Sequence, residues 1–141
     1  MHPREIMQRR YRVLIAEPRD ARGRDTDVLA EALRDAGFEV IDVGSFGVPA
    51  QVADASLQED VDAVGILGVS GHVALVPQVV ARLAADGRAD ALVFTAGTVA
   101  PDERATLEAA GVDRIVPTGA SPSEVAAWLR ESLSARESVA G

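Results

Sequence analysis

A helix, a stop signal and a strand follow one another in the stretch Ala32-Leu33-Arg34-Asp35-Ala36-Gly37-Phe38-Glu39-Val40-Ile41-Asp42-Val43. The helical part ends at Gly37, because glycine readily adopts the left-handed conformation that closes a helix. The apolar, β-branched residues that follow it are typical of a buried strand. The stretch therefore defines one helix–strand unit, with which the rest of the chain can be compared.

The same unit recurs along all 141 residues. The pattern predicts strands at residues 12–16, 39–43, 63–67, 91–95 and 114–116, and helices at residues 26–36, from 49, at 74–85, at 101–110 and from 121. Regular alternation of this kind indicates a parallel sheet with helices on both faces. We predict an α/β fold of the flavodoxin-like (Rossmann-type), doubly wound kind, with five parallel strands in the order 2-1-3-4-5.

Helical spacing also predicts which side chains face the core. In the first helix these are Val28, Leu29, Ala32 and Leu33. In the last helix Trp128 shares a face with Val125 and Leu129, so its ring is expected to pack on the sheet. If the ring is well buried, its replacement by alanine would cost ~3–5 kcal/mol of stability.

The composition limits the possible functions. The chain has no cysteine and no lysine, which excludes thiolate metal sites, P-loop chemistry and Schiff bases. A net charge of −8 argues against nucleic acid as a partner. No apolar run reaches the ~18 residues of a membrane span, and the first residues lack the apolar core of a secretory signal, so we expect a cytoplasmic protein. We expect one domain at residues 11–135, between tails at 1–10 and 136–141.

Ligands of a doubly wound sheet bind beyond the carboxyl ends of its strands. The loops to search are therefore residues 17–25, 44–48, 68–72, 96–100 and 117–120. The third loop contains Ser70 and His72, but it matches neither a nucleophile elbow nor a dinucleotide-binding loop in its spacing. The aspartates and the lysine of a phosphorylated receiver domain are missing, and two histidines are too few for a metal site. We predict no catalytic and no metal-ligating residue in this chain.

Two longer segments resemble the cobalamin-binding domain of methylmalonyl-CoA mutase and the small subunits of related B12-dependent acyl-CoA mutases. They are residues 30–41 and 58–65, and the likeness extends over nearly all of residues 12–133. The resemblance implies a cobalamin held against the carboxyl edge of the sheet. It also implies a partner, a barrel-shaped large subunit that binds the acyl-CoA, so this chain would not be catalytic alone.

The first cofactor motif of that family is Asp-x-His-x-x-Gly, whose histidine is the lower axial ligand of cobalt. Here Asp20 and Arg24 match the motif, and the ligand position falls on Arg22, or on Gly23 if the gap is placed differently. An arginine guanidinium has no lone pair to offer a metal. Histidine ligation of cobalt is therefore not expected from this loop.

The other two family motifs hold the nucleotide tail of cobalamin. The family's Ser-x-Leu is replaced here by Leu67-Gly68-Val69, and its Gly-Gly pair by Thr95-Ala96-Gly97, where the added side chains of Thr95 and Ala96 are predicted to narrow the tail slot. The resemblance implies a set of cofactor-binding residues in the three motif loops: Asp20, Arg22, Arg24, Gly68, Ser70, Gly71, His72, Thr95, Ala96 and Gly97. The last six of these are expected to line whatever pocket exists.

Two functional hypotheses remain open. In the first, the chain is a mutase subunit that binds cobalamin without a histidine ligand, either with the cofactor's own base left on cobalt or in another form without histidine. In the second, it is an interaction or regulatory module that binds no corrin. Its partner in the second case is a mutase-type barrel subunit, a second copy of the chain, or another protein.

Overall fold

The computed structural model describes residues 10–19, 21 and 24–140. Within these residues, five parallel strands form one sheet in the order β2-β1-β3-β4-β5. The strands are β1 (Arg12–Pro18), β2 (Glu39–Phe46), β3 (Ala63–Leu67), β4 (Leu92–Ala96) and β5 (Arg114–Val116), and the helices are α1 (Arg24–Asp35), α2 (Pro49–Glu59), α3 (Leu75–Ala85), α4 (Pro101–Ala110) and α5 (Pro122–Ala140). The predicted doubly wound fold and its strand order are confirmed.

The core has two layers, one on each face of the sheet. Side chains alternate between the faces along each strand, so Val13 and Ile15 of β1 contact the layer under α1 and α5, whereas Leu14 contacts the layer under α2, α3 and α4. All three are completely buried. None of the described helices combines the length and the apolarity that a membrane crossing requires.

The buried face of α1 differs from the predicted one. Val28 was expected to face the core, but half of its surface is exposed. The buried stripe instead runs through Thr26, Leu29, Ala30 and Leu33. The stripe begins at Thr26, because the Thr26 hydroxyl donates a hydrogen bond to Glu17 Oε2 at 3.1 Å. Val28 therefore lies on the flank of the helix. The prediction for Val28 was therefore wrong.

The C-terminal helix is longer than the sequence predicted, since it continues to Ala140 rather than fraying after Ala135. Near its middle it is joined to the end of α1 by Arg130. The guanidinium of Arg130 lies 4.7 Å from the centre of the Phe38 ring. It also donates a hydrogen bond of 2.6 Å to the carbonyl of Ala36, directly after α1. Helices α1 and α5 are thus held together at this end.

Trp128 packs against the sheet, as predicted, but it is only partly buried. Its ring meets the ring of Phe94 edge-on, with centroids 6.1 Å apart and an interplanar angle of 77°. The guanidinium of Arg114 lies 5.2 Å from the centre of the Trp128 ring. The indole therefore connects α5 to strands β4 and β5.

Replacing Trp128 with alanine is expected to lower the free energy of unfolding by about 2–3 kcal/mol. This is less than the ~3–5 kcal/mol of a fully buried ring, because part of the indole stays in solvent in the folded protein. Chemical denaturation of the two proteins measures the difference. Trp128→Phe, which keeps a ring against Phe94, should lose less than the alanine variant. Equal losses in both variants would show that the edge-on contact contributes nothing.

Candidate functional site

A cleft of about 360 Å³ opens beyond the carboxyl ends of β3, β4 and β5. This is the edge of the sheet at which doubly wound proteins bind their ligands. Helices α1 and α5 form its sides, and the loops after the three strands form its floor and rim. The lining residues are Thr26, Val28, Leu29, Leu67, Gly68, Ser70, Ala96, Gly97, Val116, Pro117, Thr118, Gly119, Ala120, Pro122 and Val125.

The walls of this cleft are mainly apolar. Leu29 and Val125 line it from the two helices, and Leu67 and Val116 line it from the strand ends. Val28 completes the wall on the α1 side, where half of its surface remains open to solvent. An apolar side chain left exposed inside a concave site is covered when a ligand occupies the site. The cleft is therefore suited to a largely apolar group.

Every side-chain hydroxyl of the lining is already hydrogen-bonded within the described part of the protein. Thr26 is bonded to Glu17. Ser70 Oγ donates to the carbonyl of Thr98 at 3.2 Å and accepts from the Thr98 N–H at 2.8 Å. Thr98 Oγ1 and Thr118 Oγ1 share a hydrogen bond of 2.9 Å. Ser70, Thr98 and Thr118, which we call the hydroxyl bridge, thus connect the loops after β3, β4 and β5.

Gly97 lets two of these loops touch. Its φ of +144° lies in a region that side-chain-bearing residues rarely adopt, and an added Cβ would lie 3.1 Å from the backbone nitrogens of Val69 and Ser70. Val69 N–H also donates to the carbonyl of Ala96 at 3.1 Å, and Gly97 N–H donates to the carbonyl of Val116 at 3.1 Å. These contacts hold the floor of the cleft together.

A larger but more open depression of about 790 Å³ lies at the opposite, amino-terminal edge of the sheet. Two pairs of its polar side chains are hydrogen-bonded to each other. Arg88 binds Asp60 at 2.8 Å, and Tyr11 donates to Glu137 at 2.6 Å. Because its polar groups serve the fold and it lies away from the strand ends that bind ligands, we regard the smaller cleft as the functional site.

Comparison with known proteins identifies the family. The family model for the B12 binding domain matches residues 20–127, about three-quarters of the chain. The chain belongs to the B12-binding domain family. It is 32% identical to the small subunit of 2-hydroxyisobutanoyl-CoA mutase from Aquincola tertiaricarbonis over 127 residues, which cover 89% of this chain and 93% of that subunit.

Longer mutase chains also contain a related segment. Over 134 residues this B12-binding domain is 37% identical to the methylmalonyl-CoA mutase large subunit of Streptomyces virginiae, which covers 93% of the domain but only 18% of that subunit. Relatives of this B12-binding domain thus include subunits of acyl-CoA mutases, and the predicted family resemblance is confirmed. The domain spans less than a fifth of the large subunits that it matches.

Solved structures support the fold. A cobalamin-binding protein from Desulfitobacterium hafniense DCB-2 superimposes with a TM-score of 0.73 at 19% identity, covering 87% of this chain and 59% of that one. A response regulator receiver domain protein from Methanospirillum hungatei JF-1 superimposes with a TM-score of 0.66 at 15% identity, covering 92% of this chain and 98% of that one. At these identities the two likenesses show the architecture of the B12-binding domain and nothing about its ligand.

The structure brings together part of the predicted cofactor site. Four of the predicted residues line the cleft: Gly68, Ser70, Ala96 and Gly97. Gly71 and His72, in the same loop as Ser70, are not among the lining residues, and neither is Thr95. Asp20 and Arg22 lie outside the described residues, and so does the side chain of Arg24, whose backbone begins α1. Cofactor binding by all ten residues stays a prediction.

Thr95 does not narrow the cleft, although the sequence suggested that it would. Along β4 the side chains of Phe94 and Ala96 point to the layer under α1 and α5, so Thr95 between them points to the other face. Its side chain is completely buried there, and its Oγ1 has no hydrogen-bond partner among the described residues. Of the two residues that were predicted to narrow the slot, Thr95 and Ala96, only Ala96 adds a side chain to the cleft.

Sequence analysis missed the helical walls of the cleft. Val28, Leu29, Pro122 and Val125 were either assigned to the core or not assigned to the site at all. For α1 the sequence did contain an indication of the wall, because Val28 lies one position away from the stripe of Thr26, Leu29 and Leu33. A large apolar residue that lies off the buried stripe, next to a predicted ligand edge, is a candidate wall residue.

Metal ligands are scarce at this site. The described residues contain no group of three or more histidine, aspartate or glutamate side chains suited to a metal ion. His72 is half-buried in the loop after β3, where its backbone N–H donates to the carbonyl of Val69 at 2.7 Å. The geometry of the cleft therefore suits the apolar part of a ligand better than a metal centre.

Proposed function

We propose that this B12-binding domain is the small-subunit component of an acyl-CoA mutase system. It holds cobalamin by the nucleotide tail, gives cobalt no histidine ligand, and is not catalytic alone. The observation on which the proposal rests is the apolar cleft at the carboxyl edge of β3, β4 and β5.

The size and the apolar lining of the cleft support binding of the cobalamin tail. Its volume of about 360 Å³ falls within the range of small-molecule sites. The base at the end of the tail is a dimethylbenzimidazole, which is flat and apolar on its outer edge. Val28, Leu29 and Val125 would contact this base from the walls of the cleft. The substitution of a serine by Leu67 makes the floor of the cleft more apolar and does not close it.

The cobalt position lacks a histidine from the first loop. The residues from 17 to 25 contain none, and Arg22 occupies the family's ligand position. A guanidinium stays protonated and cannot coordinate a metal. A bound cobalamin would supply cobalt–carbon chemistry, while the chain's own residues bind the tail, orient the corrin and exclude water from the cleft.

The acyl-CoA would bind to a partner. The relative that this chain covers almost completely is named a small subunit, and the large subunit that contains a similar segment is about five times longer. We therefore propose a separate barrel-shaped subunit as the partner that provides the substrate site. Association through the carboxyl edge would place the cleft and its ligand against that partner.

Two measurements on the intact chain test this proposal. Cobalamin should remain with the protein through gel filtration. Electron paramagnetic resonance of the complex with cob(II)alamin should then show no coupling from an axial nitrogen, because the base lies in the cleft and no imidazole replaces it. Labelling the protein with the heavy nitrogen isotope should leave the spectrum unchanged.

Each other result contradicts a defined part of the proposal. Coupling that changes with the isotope would show histidine ligation, and its loss in His72→Ala would identify the ligand. Coupling that does not change with the isotope would show that the cofactor's own base stays on cobalt. No retention of cobalamin, together with co-elution with a mutase barrel subunit, would favour the second candidate function.

That second candidate is an interaction module without a corrin. It is favoured by one observation, which is the coincidence of three altered cofactor motifs with an intact core. Arg22 replaces the axial histidine and Leu67 replaces the tail-binding serine, while Ala96 replaces a glycine. The cleft itself argues against this candidate, since a docking module has no need for an open apolar slot.

A further inference from the structure

We propose that the depression at the amino-terminal edge of the sheet is a docking site for a basic, partly apolar segment of polypeptide, and that its occupant is the beginning of this same chain, residues 1–9. The depression has a volume of about 790 Å³ and shares no lining residue with the cleft beyond β3, β4 and β5. The proposal is therefore independent of cobalamin.

The apolar part of the depression leaves room for larger side chains. Its apolar residues other than Tyr11 are Val61, Ala89, Ala91, Leu133 and Ala135. Ala89 and Ala135 are exposed, whereas the other three are buried. Because an alanine side chain is a single methyl group, a larger apolar side chain of an occupant can lie against these two positions and lose its contact with water.

Acidic side chains outnumber basic ones around the depression. The acidic residues are Asp60, Asp62, Asp90 and Glu137, and the basic ones are Arg88 and Arg136. Both guanidiniums are already paired within the protein. Arg88 binds Asp60 at 2.8 Å. Arg136 binds Asp113 at 2.9 Å. Asp90 is exposed, and its carboxylate forms no ion pair with a described residue. This excess of acidic groups favours a basic occupant.

The beginning of the chain has the complementary pattern in its sequence. Residues 1–9 lie outside the described part of the protein. Their two adjacent apolar residues, Ile6 and Met7, stand between Arg4 and Arg9. Such a segment offers apolar side chains for the alanines of the depression and positive charges for its carboxylates.

The covalent connection keeps this segment close to the depression. Tyr11 is itself one of the lining residues. The chain between Met7 and Tyr11 spans at most about 14 Å. A short tether gives a segment an effective concentration of about 1 mM or more, so a contact too weak to hold a free peptide is sufficient. A peptide from another protein lacks this advantage, which is why the structure assigns the site to the chain's own residues.

A spin label on the intact chain tests the proposal. Because the sequence contains no cysteine, Gln8→Cys creates a single attachment site for a nitroxide. In nitrogen-15 NMR spectra, the amide signals of residues 89–91 and 135–137 should broaden. The signals of Ser70 and Thr98, at the carboxyl edge of the sheet, should keep their intensity. A mixture of spin-labelled chains without nitrogen-15 and nitrogen-15 chains without the label should show no broadening.

Two further substitutions in the spin-labelled chain test what holds the segment. Asp90→Arg replaces an attractive charge by a repulsive one, so the broadening should fall about two-fold or more. Asp102→Arg is the matched control, because Asp102 is also exposed but lies at the start of α4, outside the depression. It should leave the broadening unchanged. Ile6→Ser removes apolar contact without adding charge and should also reduce the broadening.

The other outcomes overturn the proposal. Broadening in the mixture would show that the occupant comes from a second copy of the chain. No broadening at residues 89–91 and 135–137, or equal broadening at both edges of the sheet, would show that residues 1–9 do not occupy the depression. Equal effects of Asp90→Arg and Asp102→Arg would show that the acidic rim does not hold the segment.

Discussion

Replacing Val28 with arginine is expected to weaken cobalamin binding by about a hundred-fold or more, so that the cofactor no longer remains with the protein through gel filtration. Val28 is half-exposed and forms one wall of the cleft. A longer, charged side chain at this position would have to be buried against the apolar base or would keep the base out. Because the residue is not part of the core, the free energy of unfolding should change by no more than about 0.5 kcal/mol.

The chain offers a matched control for this experiment. Leu57 is an apolar helical residue that is also 50% exposed, and it lies on α2, away from the cleft. Leu57→Arg introduces the same charge and should bind cobalamin like the wild type. Equal affinity of Val28→Arg and Leu57→Arg would contradict the location of the tail in this cleft.

Replacing Phe94 with alanine is expected to lower the free energy of unfolding by about 3–5 kcal/mol. Phe94 is completely buried in β4, and its ring packs edge-on against Trp128. The ring also covers Gly65 of β3, the residue paired with it across the sheet. Its removal would leave a cavity between the sheet and α5. Denaturant unfolding monitored by circular dichroism measures the loss.

The contact with Gly65 allows a test by a double-mutant cycle. In the wild type, a methyl group on residue 65 would overlap the Phe94 ring, so Gly65→Ala should cost about 1–3 kcal/mol. In the Phe94→Ala background the same methyl group would enter vacated space and should cost nothing or stabilise the protein. Simple additivity of the two substitutions would show that the residues do not compete for this volume.

Local signals were sufficient to predict the fold. The bounds of β3 and β5 agree with the structure, as do those of α4, because each element combines a clear period with a glycine, a proline or a turn at its end. The strand order followed from the regular alternation of strands and helices. Element bounds and strand order depend on residues that are close together along the chain, and the sequence shows such residues directly.

The site was harder to predict because its geometry depends on which face of a helix or strand each residue lies on. Val28 was placed in the core, since a shift of one residue turns a helix by about 100° and several apolar stripes were compatible with the sequence. Thr95 was placed in the cleft, since a strand buried on both faces shows no alternation that would reveal which face each residue takes. The hydroxyl bridge joins Ser70, Thr98 and Thr118 from three separate loops, and no pattern along the chain indicates such a contact.

The contact of Arg130 with Ala36 and Phe38 determines how the cleft can respond to a ligand. It fastens α5 to the end of α1, at a distance from the mouth of the cleft that the same two helices form. Helices α1 and α5 are therefore fixed to each other at this end of the cleft. If a ligand separates the two helices, we expect the opening to widen most at Val28 and Pro122, and least near Arg130.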